Sequence, residues 1–180
     1  MSKIILSILI VFISCSNLRK TAEFNFEAFQ SELVARHNEL RKKHAASSLT
    51  VSKDLMTLCQ KTVDNCKKLG YLEHGFFYMD DGTRVGQNLF VDYITPTGKN
   101  VADAWYSENV DYDYGNGTKK AGAVTTHFTQ LVWKSTKQIG CAVAIGPWGD
   151  FKTSYFVGCD YLPAGNYAGQ YDKNVSPPTS

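Results

Sequence analysis

The chain has 180 residues, 43% of them hydrophobic and 13% aromatic, with 19 Lys and Arg against 17 Asp and Glu for a formal charge of +2. This is the composition of one ordered domain with a sizeable core, and it excludes disorder, collagen and coiled coil. The near balance of charge offers no surface for a polyanion, so no nucleic acid is expected as a partner.

The N-terminus stands apart. Lys3 precedes an unbroken apolar run from Ile4 to Ile13, and the small residues Ser14, Cys15 and Ser16 follow. This is the layout of a secretory signal peptide over residues 1–16, cut before Asn17. The apolar run falls well short of the roughly 20 residues that a membrane span needs. An uncleaved anchor is the alternative. Acylation of Cys15 is disfavoured because Phe12 stands where such a site wants Leu.

Secretion changes the reading of the cysteines, because an oxidising compartment permits disulfides. With Cys15 removed, Cys59, Cys66, Cys141 and Cys159 remain, and four cysteines allow three connectivities. Secretion also gives meaning to the sequons at Asn116 and Asn174. The second is weakened by Pro177 and Pro178, which leaves Asn116, in a Gly-rich loop, as the expected glycan site.

After a short lead over residues 17–25, the spacing of Phe29, Leu33, Val34, His37 and Leu40 predicts a helix over 26–43. Asn25 is placed to cap it, and Arg41, Lys42 and Lys43 suit the negative end of its dipole. A second helix is predicted after Ser52. It carries Leu55, Leu58, Cys59, Thr62, Val63, Cys66 and Leu69, and stops at Gly70. Cys59 and Cys66 then share a buried face about 10.5 Å apart along the axis. They read as small buried thiols, with a bridge between them requiring a distorted helix.

Asp80 to Thr83 reads as a turn, and Gly86 to Val91 as the start of an extended or short helical segment. A third helix opens near Thr97 or Asn100, with Val101, Ala104, Trp105 and Glu108 on one stripe, where the carboxylate needs a partner. Beyond Thr126 to Trp133, two β-like runs, Ile139 to Ile145 and Thr153 to Tyr161, predict an antiparallel hairpin. A turn centred near Asp150 places Cys141 and Cys159 opposite one another, and this is the expected disulfide. From Tyr167 onward the chain, rich in Gly, Asn and Pro, is expected to run irregularly over the surface.

The residues suited to chemistry are His74, Glu108 and His127 on separate elements, with Gln87 between the first two. None forms a local catalytic or zinc motif, and by spacing alone each reads as a structural polar residue. His37 and His44 read the same way.

The run Thr126 to Thr136, with Ile139 to Ala142 after it, resembles the first signature of the CAP superfamily: cysteine-rich secretory proteins, antigen 5 and plant pathogenesis-related proteins. Phe156 to Tyr167 resembles the second signature. His37 to His44 is similar to the family's first helix, and Val101 to Glu108 to its central helix. The likeness spans residues 26–167, is nearest to the small Golgi-associated plant pathogenesis-related subgroup, and leaves 168–180 as a tail.

The resemblance implies an α+β fold, a three-layer α-β-α sandwich with a central antiparallel sheet and a cleft. It maps the family's cleft tetrad of two histidines and two glutamates onto His74, His127, Glu108 and Gln87, so that one carboxylate becomes an amide. His74 and His127, with Glu108, could still hold Zn²⁺, more weakly than with both carboxylates. Thr126 stands where the signature usually has Gly, and Asp160 where Asn is common. The function this implies is that of a secreted, non-enzymatic protein that binds sterol or another lipid in defence or extracellular interaction. A metal-dependent hydrolase is the alternative, and so is a scaffold that meets an extracellular protein or receptor. A homodimer is left open.

Overall fold

The computed structural model describes residues 24–115 and 117–179. The expected signal peptide, most of the expected N-terminal lead and Asn116, the expected glycan site, lie outside the described residues.

Helix α1 spans Phe26–Lys43, and its cap is local chemistry: the Asn25 side chain accepts a hydrogen bond from the Ala28 N–H at 3.0 Å. Phe29, Leu33, His37 and Leu40 form its buried face. Strand β1, Thr50–Val51, leads into α2, Lys53–Leu69. Ser52 caps α2, and Gly70 ends it in the left-handed conformation at φ 76°. Leu69, expected on the apolar stripe, is exposed at this end of the helix.

Strand β2, Gly86–Asp92, settles the segment that periodicity left open. Helix α3, Gly98–Ser107, buries Val101, Ala102 and Trp105, while Ala104 faces outward. A 3-10 turn, Glu108–Asp111, and a short ribbon of β3, Tyr112–Asp113, and β4, Thr118–Lys119, follow. Then come α4, Thr126–Val132, the hairpin of β5, Gln138–Trp148, with β6, Phe151–Leu162, and a final short helix, α5, Tyr171–Asn174.

The main sheet has the order β1-β5-β6-β2. Its three long strands are antiparallel, and the two-residue β1 adds a parallel pair at one edge. Alternation along β5 and β6 builds two cores. Ile139, Cys141, Val157, Cys159 and Tyr161 face α1, α3 and α4. Ala142, Ala144 and Phe156 face Cys59, Val63 and Cys66 of α2. Helices on both faces of the sheet give the three-layer α-β-α sandwich. The α2 layer lies close because the strands are small there: a Cβ on Gly140 would stand 2.3 Å from the Met56 nitrogen, inside the helix backbone.

The hairpin explains the disulfide. Trp148 pairs with Phe151 across the two-residue turn Gly149-Asp150, and one extra residue on β6 shifts the ladder so that Gly146 opposes Ser154. With that shift Cys141 opposes Cys159, to which it is bonded; without it Cys141 would face Gly158. Cys59 and Cys66 are buried free thiols.

Two further expectations differ from the structure. Arg41 does not serve its own helix end but is fully buried, donating to the carbonyls of Ser47, Leu131, Trp133 and Thr136 at 2.8–2.9 Å. It thereby satisfies acceptors at the C-terminal end of α4. The tail is not loose: Asn174 and Val175 are buried. The Asn174 amide oxygen accepts from the Ser135 N–H and hydroxyl, and the Thr179 N–H donates to the Lys43 carbonyl. A buried side chain with these bonds is no glycan acceptor.

Candidate functional site

His74 follows α2 on a loop held over that helix: the Thr62 hydroxyl donates to the Gly75 carbonyl at 2.9 Å. Its imidazole stacks on Phe77 with ring centres 5.9 Å apart. The Nδ1–H of His74 donates to Oε1 of Gln87 at 3.0 Å, and that oxygen also accepts from the Gly75 N–H at 3.3 Å. The amide nitrogen of Gln87 faces three acceptors: the Gly75 carbonyl at 3.0 Å, the Thr62 hydroxyl at 3.1 Å and Oδ1 of Asp160 at 2.9 Å. Gln87 therefore has one orientation, with its oxygen toward His74 and its nitrogen toward the sheet.

Asp160 lies directly across the ladder from Gln87 and is fully buried. Burial pushes its carboxyl up to about 7, against the opposing hydrogen bond from Gln87. Its second oxygen, Oδ2, has no hydrogen-bond partner among the described residues.

Glu108 caps the end of α3 and reaches the start of α4. Its Oε2 accepts from the backbone N–H groups of His127 and Phe128 at 3.1 and 3.2 Å, and its Oε1 from Nδ1–H of His127 at 2.6 Å. Thr125 makes no side-chain cap for α4, so this distant carboxylate caps the helix and meets its positive end. Asn88 completes the arrangement, donating to the His127 carbonyl at 3.0 Å. Glu108→Gln removes the charge and one accepting oxygen, with an expected loss of about 2 kcal/mol in denaturant unfolding.

The four residues thus come as two pairs, His74 with Gln87 and Glu108 with His127, and no hydrogen bond among the described residues joins one pair to the other. A cleft of about 230 Å³ is lined by His74, Phe77, Arg84, Gln87, Thr126 and Gln130, among others, but not by Glu108 or His127. His37 and His44 are buried in hydrogen bonds. His37 donates to the Leu33 carbonyl and accepts from the Tyr161 hydroxyl; His44 bonds the Ser176 carbonyl and the Tyr106 hydroxyl.

The donor set does not fit the zinc site that the resemblance implies. Both oxygens of Glu108 and the oxygen of Gln87 are already engaged, which leaves two imidazole Nε2 atoms where a protein site supplies three or four ligands. Among the described residues no group of three or more His, Cys, Asp or Glu is gathered to hold a metal ion. The thiols offer no nucleophile, since burial pushes Cys59 well up and Cys66 up.

Sequence reasoning missed Asp160 and Thr62 as partners of Gln87. An acid within the apolar run Phe156 to Tyr161 was the available signal.

Two signatures in order, a three-layer sandwich and this set of polar pairs define a CAP domain. Residues 34–161 match the model of the CAP cysteine-rich secretory protein family, and the chain belongs to that family. It is 38% identical over 145 residues to cysteine-rich secretory protein 2 of Homo sapiens, covering 76% of this chain and 57% of that one. It is 36% identical over 154 residues to Golgi-associated plant pathogenesis-related protein 1 of Homo sapiens, covering 83% and 94%. Among solved structures, venom allergen-like protein 4 of Schistosoma mansoni superposes with a TM-score of 0.65 at 21% identity, over 86% of this chain and 96% of that one.

Proposed function

We propose that this protein is a secreted, non-enzymatic CAP domain that binds a sterol or another lipid and acts in defence or extracellular interaction. The observation that carries the non-enzymatic reading is that the carboxylate and the amide of the tetrad are both engaged by neighbouring groups. Glu108 is spent on α4 and His127, Gln87 on Thr62, Gly75, His74 and Asp160, and among the described residues neither imidazole is hydrogen-bonded to a nucleophile. Apolar binding is supported by large side chains left in water at the far end of the sheet: Tyr93, Ile94, Ile145 and Phe151 are 43–61% exposed, and Tyr93 and Phe151 stack at 4.0 Å. Secretion is supported by the N-terminal leader and by the name of the human cysteine-rich secretory relative.

The test is equilibrium binding of a labelled sterol to the secreted protein, with and without Zn²⁺, in wild type and Gln87→Glu. Saturable binding indifferent to metal and to the substitution is expected. Absence of binding in every arm would overturn the lipid reading in favour of protein recognition.

A further inference from the structure

The ladder places one acid and one amide face to face. Gln87 of β2 and Asp160 of β6 are register partners, and their side chains meet at 2.9 Å. At that separation two carboxylates would repel, whereas an amide nitrogen can donate to a carboxyl oxygen. The pair works because one member donates and the other accepts.

Its reach extends to the cleft. With the Gln87 nitrogen facing Asp160 and the Gly75 carbonyl, its oxygen faces His74, and an amide oxygen can only accept. The proton of neutral His74 must then sit on Nδ1, and Nε2 keeps its lone pair. His74 is exposed and lines the cleft, whereas Asp160 is buried. The acid of the pair is thus buried and the neutral amide lines the cleft.

We propose that Asp160 is a positioning residue: through Gln87 it fixes the Nδ1–H tautomer of His74, with Nε2 facing outward, and the Gln87–Asp160 pair is an exchangeable acid–amide unit that sets where charge lies beside the cleft. Exchanging the two residue types would keep the bond but move the charge out to His74. The inference concerns the site's hydrogen bonds and stands whether or not the ligand is a lipid.

The test is a double-mutant cycle with a spectroscopic readout on the full protein at pH 7.5. Gln87→Glu alone sets two carboxyl groups against each other, and a rise of tenfold or more in the unfolding constant is expected. In the double variant Gln87→Glu/Asp160→Asn, the amide introduced on β6 can donate to the new carboxylate on β2, and the unfolding constant stays within about threefold of that of Asp160→Asn alone instead of rising tenfold above it. Long-range ¹⁵N spectra of the wild type should show the proton of the neutral His74 imidazole on Nδ1. Simple additivity of the two substitutions, or a wild-type His74 carrying its proton on Nε2, would overturn the proposal.

Discussion

Arg41→Ala should cost about 4 kcal/mol or more and abolish the native fold near physiological temperature. The guanidinium is fully buried and has no carboxylate partner among the described residues; its donors go to four backbone carbonyls. Removing it takes the donor from the buried Leu131 and Thr136 carbonyls, at about 1–3 kcal/mol each before relaxation, and from the part-buried Ser47 carbonyl. The Trp133 carbonyl keeps the Thr136 N–H. Burial already pulls Arg41 down to about 10, so it remains charged at any pH at which the protein is handled. Arg41→Lys keeps the charge but not the planar fork, and should lose about 2 kcal/mol. Chemical unfolding of both variants gives the order, and a wild-type midpoint for Arg41→Ala would refute this assignment.

Asp160→Asn should have the opposite effect and stabilise the protein at neutral pH. The buried carboxyl, ordinarily near 3.8, stands at about 7. An acid raised on folding holds its proton more tightly in the native state. Its stabilising contribution is therefore complete below about pH 4 and is lost as pH rises to about 7, a swing of up to about 4 kcal/mol. Asparagine keeps an oxygen for the Gln87 nitrogen and cannot ionise. The neighbouring groups, Gln87 on β2 and the Cys59 thiol on α2, are both uncharged. The variant should match wild type near pH 4 and exceed it by about 2 kcal/mol above pH 7. His37, lowered to about 4 by burial, works in the other direction: its contribution is present above about pH 6.5 and lost toward pH 4. It is common to both proteins and cancels in the difference. Unfolding curves from pH 4 to 8 test this, and a gap that does not widen with pH would count against a buried ionisable Asp160.

The sequence discloses what local chemistry decides. Asn25, Ser52 and Gly70 mark helix ends because caps act within three or four residues. Cys141 and Cys159 are legible because a hairpin is counted from its turn, although the count succeeds only through the extra residue on β6. The destination of Arg41 is not legible: its charge suits the end of its own helix, and only the tertiary fold brings four carbonyls from beyond α1 to it. Glu108 visibly needs a partner, but that it caps α4 depends on how two helices meet across a loop. Gln87 stands out as an amide in a carboxylate's place; its partner Asp160 is 73 residues away and meets it only in the register of β2 and β6.

The site is held by its own hydrogen bonds rather than built around a metal, and calorimetric titration of the metal-free protein with Zn²⁺ at pH 7.5 tests this most directly. With two imidazole donors and no spare carboxylate oxygen, no one-to-one binding tighter than about 10 µM is expected. A stoichiometric site of higher affinity, lost in both His74→Ala and His127→Ala, would contradict it.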